Sequence, residues 1–200
     1  MGITNDSLYR LNRFNLLLPN KPYRMLELGC QNIYGDAFGT TYGMIAKSFF
    51  VGKNIEHISW DICGCQGSEI VDLRYDVDIQ EKGQFDVITN FGTTEHIDNI
   101  EIGGFYEGMR NIHNLCKIGG YMIHENPKTG HWIGHGCNYV TEDFYRSLAN
   151  DMGYQILELT EHFAMGNIID GCNICCVLVK VDDRPFVSKQ IFSTYDVRKS

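Results

Sequence analysis

The amino-acid sequence predicts an α/β protein whose sheet is mostly parallel in its first half, and three observations carry that prediction. Short apolar runs rich in β-branched and aromatic residues alternate with stretches whose apolar residues recur at helical spacing. The final run, Ile174 to Val181, is almost continuously apolar, as a strand covered on both faces should be. About ten residues separate it from the run before it, too few for a helical crossover, so these last two strands should pair antiparallel.

Taken in order, residues 5 to 18 predict a helix. Leu8, Leu11, Asn15 and Leu18 follow helical spacing with Phe14 beside them, and Asn5 or Asp6 stands where an N-cap belongs. Pro19 and Pro22 break the pattern. Tyr23 to Leu28, stopped by Gly29, predicts a buried first strand, and a helix fits 41 to 50. Ile55 to Asp61 predicts the second strand, Ile70 to Leu73 a third, and Phe85 to Phe91 a fourth. Phe105, Met109, Ile112 and Leu115, with Cys116 alongside, form an apolar helical stripe that Gly119-Gly120 should end. Tyr121 to His124 follows as the fifth strand. Thr141 then caps a helix whose first turn holds Glu142 and Asp143, whose face carries Phe144, Leu148 and Met152, and which stops at Gly153. Ile156 to Phe163 precedes the final strand, and the mixed tail from Asp182 predicts no regular element.

The 200 residues are 44% hydrophobic and 21% charged, enough for one domain with a sizeable core. The expected division is an N-terminal helix in 1–20, a core in 21–182 and a polar tail in 183–200. A net charge of −8 repels phosphate backbones, and the densest basic stretch is only Arg198-Lys199, so nucleic-acid partners are not expected. No apolar stretch reaches the roughly 20 residues a membrane helix needs. The start, MGITNDSLYR, matches neither a signal peptide nor, with Asp6 where Ser or Thr would be required, a myristoylation site. A cytoplasmic protein is expected, and its eight cysteines then stay reduced.

In such a sheet ligands gather at the carboxyl ends of the strands. After the first strand stand Glu27, Gly29, Cys30 and Gln31; after the second, Asp61 and Ile62; after the third, Asp72 and Leu73; after the fourth, Asn90 and Phe91; after the fifth, Glu125 and Asn126. Gly29 permits a tight turn and close approach to a ligand. An acid at Asp61 suits the hydroxyls of a ribose. NAD is disfavoured, because Gln31 stands where the dinucleotide fingerprint needs its second glycine, and no P-loop is present. Glu27 would repel a pyrophosphate and attract an ammonium or sulfonium. S-adenosylmethionine has both of these cations, a ribose and no phosphate.

Five segments occur in the order in which they stand in class I S-adenosylmethionine-dependent methyltransferases, and the chain resembles that family from about 22 to 181. LELGCQN resembles the first motif, ISWD the second and FDVITNFGTTEHI the fourth-strand motif; FYEGMRNIHNLCKIGGYMI and YVTEDFYRSLANDMGYQILEL resemble the later helix–strand units. The resemblance implies a Rossmann-like, doubly wound sheet of seven strands, order 3-2-1-4-5-7-6, with strand 7 antiparallel. It implies that Glu27 and Gly29, with Cys30 and Gln31 on the same tip, contact the methionine end of the cofactor. Asp61, with Ile62, would hold the ribose and Asp72 with Leu73 the adenine, while Asn90 and Phe91 would face the transferred methyl. Three features depart from the pattern: Gln31 replaces a glycine, a long Glu27–Asp61 spacing makes 33 to 43 an expected loop over the site, and a short Asp61–Asp72 spacing leaves little room for a helix. Asn90-Phe91-Gly92-Thr93 lacks the prolines usual in nucleic-acid amino-methyltransferases.

Methyl transfer from a sulfonium needs positioning, desolvation and in some cases a base. Base candidates are Glu95 and His96 after the fourth strand and His124, Glu125, His131 and His135 after the fifth. His131 and His135 are favoured because GHWIGHGCNY is Gly-rich and aromatic, with Trp132 and Tyr139 as candidate pocket walls; His96 is the third candidate, with packing or helix capping as its other role. His124, His131, His135 and Cys137 cluster in sequence, with Glu95 or His96 as further members of a metal set, but the spacings match no compact zinc pattern. Cys63-x-Cys65 with Cys172-x2-Cys175 is a second conceivable set, but Cys175 and Cys176 lie in an apolar strand, and no metal is expected. The expected activity is S-adenosylmethionine-dependent methylation of a sugar or other metabolite. The alternative is a non-catalytic cofactor- or partner-binding protein of the same fold, and a nicotinamide-dependent oxidoreductase is weakened by the absent fingerprint.

Overall fold

Seven strands form the central sheet of the computed structural model, which describes residues 2–77, 80, 82–98, 104–163 and 171–199. They are β1 (Tyr23–Leu28), β2 (Ile55–Asp61), β3 (Glu69–Ile70), β4 (Phe85–Phe91), β5 (Cys116–Pro127), β6 (Gln155–Phe163) and β7 (Cys172–Val179). Their order is β3-β2-β1-β4-β5-β7-β6, parallel from β3 to β5, with β7 antiparallel to both neighbours. The 3-2-1-4-5-7-6 order expected from the resemblance is therefore present. Most of the connection between β6 and β7, 164–170, lies outside the described residues, as does Met1.

Among the described residues five α-helices accompany the sheet: α1 (Asn5–Arg13), α2 (Ala46–Phe50), α3 (Gly104–Leu115), α4 (Glu142–Met152) and α5 (Lys189–Phe192). The strand pleat sends alternate side chains to opposite faces. Leu26, Leu28, Ile88, Met122 and Leu178 join Met109 and Ile112 of α3 and Phe144 and Leu148 of α4 in one apolar layer. Met25, Val87, Ile123 and Val177 join Leu8 and Leu11 of α1 and Phe50 of α2 in the other.

Several boundaries differ from expectation, each for a physical reason. Thr4, not Asn5 or Asp6, caps α1: its hydroxyl accepts from the Ser7 N–H at 3.3 Å and the Ser7 hydroxyl accepts from the Thr4 N–H at 3.0 Å. The helix stops at Arg13, Asn15 turns left-handed at φ 57°, and Leu18 falls outside it on the surface. Only 46–50 of the predicted 41–50 helix is helical. None of residues 33–43 lines the cleft at the strand tips. Asn32–Tyr34 pairs with Ile3–Thr4 and Met44–Ile45 in a small ribbon, and Asn5 Oδ1 accepts from the N–H groups of Asp36 and Ala37, both at 3.0 Å. The third strand is Glu69–Ile70 rather than Ile70 to Leu73.

Gly119-Gly120 does not end α3. The helix passes at Cys116 directly into β5. The Lys180 ammonium, just past β7 and buried, donates to the carbonyls of His113 (2.9 Å) and Cys116 (3.1 Å) and pairs with Asp183 at 2.7 Å. By contrast Thr141 caps α4 as the sequence indicates, accepting from the Phe144 N–H at 3.2 Å, and Gly153 ends it at φ 64°. The tail is structured: α5 packs Phe192 on Phe105 and Phe144, and Val197–Lys199 pairs with Asn138–Val140. Among the described residues no helix is long and apolar enough to cross a membrane.

Candidate functional site

The sheet order reverses at β1, with β2 on one side and β4 on the other, and the tips of these strands frame a cleft of about 510 Å³. Gly29, Cys30 and Gln31 line it from β1, and Trp60, Asp61 and Ile62 from β2. Val71, Asp72, Leu73 and Arg74 form a third side, and Thr93, His96 and Ile97 the side beyond β4.

Gly29 adopts φ +81°, and a Cβ there would stand 2.6 Å from both Gln31 Nε2 and Thr93 Oγ1. The Gln31 carboxamide is buried beside it and donates to the Leu28 carbonyl and the Thr93 hydroxyl, each at 3.2 Å. Asp61 accepts from the N–H groups of Cys30 (2.9 Å) and Cys63 (2.8 Å). Partial burial pushes its carboxyl up, but the hydrogen bonds from Cys63 and Cys30 outweigh this and hold it below the usual range. Arg74 clasps Asp72 through Nε (3.0 Å) and Nη2 (2.7 Å), and these bonds lower the Asp72 carboxyl.

A second group of side chains meets behind His96, the member of the group that lines the cleft. Glu95 sits on the short 3-10 turn Thr94–His96, fully buried. Its carbonyl accepts from the Cys137 N–H at 2.8 Å, which brings the loop after β5 against this turn. Its Oε2 accepts from Asn126 Nδ2 at 3.1 Å, while its Oε1 has no hydrogen-bond partner. That oxygen stands 3.8 Å from His96 Nε2 and 4.0 Å from His135 Nε2. The two imidazoles meet at 4.9 Å between centroids. Burial raises the Glu95 carboxyl to about 7 against its hydrogen bonds, and burial lowers both His96 and His135.

No family model and no curated protein matches the sequence. Solved structures do match. The Burkholderia thailandensis 1,6-didemethyltoxoflavin-N1-methyltransferase, with bound 1,6-didemethyltoxoflavin and S-adenosylhomocysteine, superposes at TM-score 0.58 and 13% identity, over 89% of this chain and 78% of that one. The N-methyltransferase NodS from Bradyrhizobium japonicum gives 0.59 and 11%, over 88% and 96%. A SAM-dependent methyltransferase from Archaeoglobus fulgidus gives 0.54 and 14%, over 86% and 92%. The chain has the class I S-adenosylmethionine-dependent methyltransferase fold.

Within this methyltransferase fold the residues singled out in the sequence divide sharply. Gly29, Cys30, Gln31, Asp61, Ile62, Asp72, Leu73 and His96 all line the cleft. Glu27, Asn90 and Phe91 do not. Glu27 lies below the tip, buried, with Oε2 3.2 Å from His57 Nε2, and His57 stacks on Phe50 of α2. Burial raises the Glu27 carboxyl against the opposing effect of His57. Asn90 is buried among Thr94, His124 and Asn126, and Phe91 joins the layer under α1 and α2. All three precede the last residue of the strand or end it, so the pleat rather than the turn aims them.

The base candidates separate in the same way. His96 and His135 come together with Glu95, whereas His131 packs its ring edge-on to Phe163 of β6. Burial holds His124 down to about 3, a neutral core histidine bonded to Asn90. Glu125 is consumed by α1, accepting from Ser7 Oγ at 2.9 Å and from Arg10. Tyr139 is no pocket wall: its hydroxyl accepts from the N–H groups of His135 (3.1 Å) and Gly136 (3.2 Å) and donates to the Trp132 carbonyl at 2.9 Å, fixing the loop. Cys63 and Cys65 approach Asp61, but Cys172 and Cys175 stand in β7, beyond β1, β4 and β5, and do not join them. Asn126, which orients Glu95, carried no signal in the sequence beyond its place at the end of β5.

Proposed function

We propose that this chain binds S-adenosylmethionine in the cleft and methylates a small-molecule acceptor held against Glu95, His96 and His135. The observation that supports the reading is one cleft lined by both the bare backbone of Gly29 and the imidazole of His96, with the buried Glu95 carboxylate 3.8 Å behind that imidazole. The residues present fit the cofactor. Leu73, Val71, Ile97 and Ile62 offer an apolar bed for a purine. An ionised carboxylate has about four lone-pair sites, so Asp61, with two backbone N–H partners, retains capacity for ribose hydroxyls. When bound, the cofactor supplies an electrophilic methyl on a sulfonium. The chain's part is to orient the acceptor, exclude water and take its proton at Glu95 or at a neutral imidazole of His96 or His135. The net charge of −8 and the small-molecule substrate bound by the Burkholderia enzyme favour a metabolite over a nucleic acid as acceptor. Eight unpaired cysteines accord with a reducing, cytoplasmic setting.

One observation favours a second reading, a protein of this fold that binds without turnover: the Gln31 carboxamide fills space beside Gly29. Titration calorimetry with S-adenosylhomocysteine, followed by methyl transfer from labelled S-adenosylmethionine to a metabolite library, separates the two. Binding with turnover is expected. Binding without turnover on any acceptor favours the second reading, and absence of binding sinks both.

A further inference from the structure

We propose that Glu95, His96 and His135 form a binding site for a divalent transition-metal ion, with open coordination positions directed into the cleft for a small molecule that presents oxygen donors. The metal site stands on geometry alone, and the placing of the acceptor on it rests on the methyltransferase reading; with an ion bound the three side chains spend their lone pairs on it, so the proton-accepting role belongs to the metal-free protein. One ligand atom from each of Glu95, His96 and His135 lies within 4.8 Å of the other two, and Glu95 Oε1 stands 3.8 Å from His96 Nε2 and 4.0 Å from His135 Nε2. These separations exceed a hydrogen bond, so the groups converge without bonding one another. The two carboxylate–imidazole separations stay inside about 4.4 Å, the widest that two ligands each about 2.0–2.2 Å from one metal can stand, and exceed the roughly 3.5 Å of a tetrahedral pair, so the side chains close on an ion by a few tenths of an ångström. Glu95 Oε1 and His135 Nε2 are buried and have no hydrogen-bond partner, and they are the atoms that face each other.

The surroundings resemble the support a metal ligand receives. Asn126 Nδ2 holds the second Glu95 oxygen at 3.1 Å, and the Tyr145 hydroxyl donates to Asn126 Oδ1 at 2.6 Å. Tyr139 pins the His135 backbone, and Trp132 packs on its ring at 5.5 Å. Two nitrogens and one carboxylate suit manganese, iron, cobalt or zinc better than calcium. Of the three side chains His96 lines the cleft, with its side chain 45% exposed, so the site is reached from the cleft past this imidazole.

Mn2+ alone is the probe, titrated into the full chain in reducing buffer without cofactor and followed by electron paramagnetic resonance. One site per chain is expected. Its affinity should fall by more than about tenfold in Glu95→Gln and His135→Ala and stay unchanged when Cys63 and Cys65, the other metal-ligand group among the described residues, are both changed to Ser. Should a buried-site variant fail to fold, His96→Gln at the half-exposed position gives the same readout. Equal Mn2+ affinity in wild type and all three site variants, or a loss confined to the cysteine variant, overturns the proposal. Calorimetry with S-adenosylhomocysteine on the same samples keeps the two claims apart. Cofactor binding without a Mn2+ site defeats the metal site only, and a Mn2+ site without cofactor binding upholds it while defeating the methyltransferase reading.

Discussion

The Thr93 hydroxyl, beyond the tip of β4, donates to the Leu28 carbonyl at the tip of β1 at 2.7 Å, closing the point where the sheet order reverses. Gly29 turns over this bond at φ +81°. Gly29→Ala is therefore expected to cost about 1–3 kcal/mol of stability through backbone strain and contact with Thr93 and Gln31. It should also abolish S-adenosylhomocysteine binding, because the loop must shift. Urea unfolding and calorimetry read the two effects, and an alanine variant that binds at wild-type affinity would remove Gly29 from the site.

Arg10 joins α1 to the sheet through two buried carboxylates, Glu125 of β5 and Glu158 of β6, the latter at 2.9 Å from Nε. Removing one partner of a buried pair leaves a charge without compensation. Arg10→Met should lower unfolding free energy by about 3–5 kcal/mol, whereas the triple change Arg10→Met, Glu125→Leu, Glu158→Leu should recover most of it. Urea midpoints that stay equal across the series would show that the network contributes nothing to holding α1.

Local signals in the sequence proved legible where local physics decides. β2 and β4 fall on Ile55–Asp61 and Phe85–Phe91 because β-branched and aromatic runs bounded by turns have one good conformation. Thr141 and Gly153 bound α4 because both caps act on adjacent backbone. The end of α3 was not legible, since its carbonyls are met by Lys180, far along the chain. Nor was the fate of Glu27. A strand-tip acid reads as a ligand until His57, on the neighbouring strand, takes it inward. His131 and His135 look equivalent in one loop, and the bonds from the Cys137 N–H and the Asn138 amide to the Glu95 carbonyl draw the His135 end to the site.

The proton-accepting role assigned to Glu95 predicts a pH profile for the metal-free protein. Burial raises its carboxyl to about 7, so the ionised form fills in as pH rises through neutrality. The maximal methyl-transfer rate should climb to a plateau above about pH 7 and fall tenfold per unit below it. Glu95→Gln should lower kcat by about 10²–10⁴-fold and remove that limb, leaving KM for the cofactor near wild type. A limb that persists in the Gln variant would assign the proton to another group.

His113 makes stability depend on pH in the acid range. Its Nε2 stands 2.9 Å from the Arg184 carbonyl, which can only accept, so Nε2 carries the proton and Nδ1 accepts from the Tyr154 hydroxyl at 2.7 Å. The neutral ring thus ties α3 to the turn after α4 and to the tail. Burial, helped by Lys180, holds it down to about 4, against an ordinary value of 6.5. Between these values the unfolded chain binds more protons than the folded one, so this stability is complete above about pH 6.5 and drains as pH falls toward 4. His124, held down to about 3, acts with the same sign over a lower window. Glu95 acts oppositely: raised from 4.5 to about 7, it favours the fold below about pH 4.5 and loses that contribution as pH rises to neutrality. His113→Gln removes the titrating ring, so its urea midpoint should decline less between about pH 6.5 and 4 than that of the wild type, even if it starts lower. Parallel declines in the two proteins would mean that His113 is not the group that senses acid.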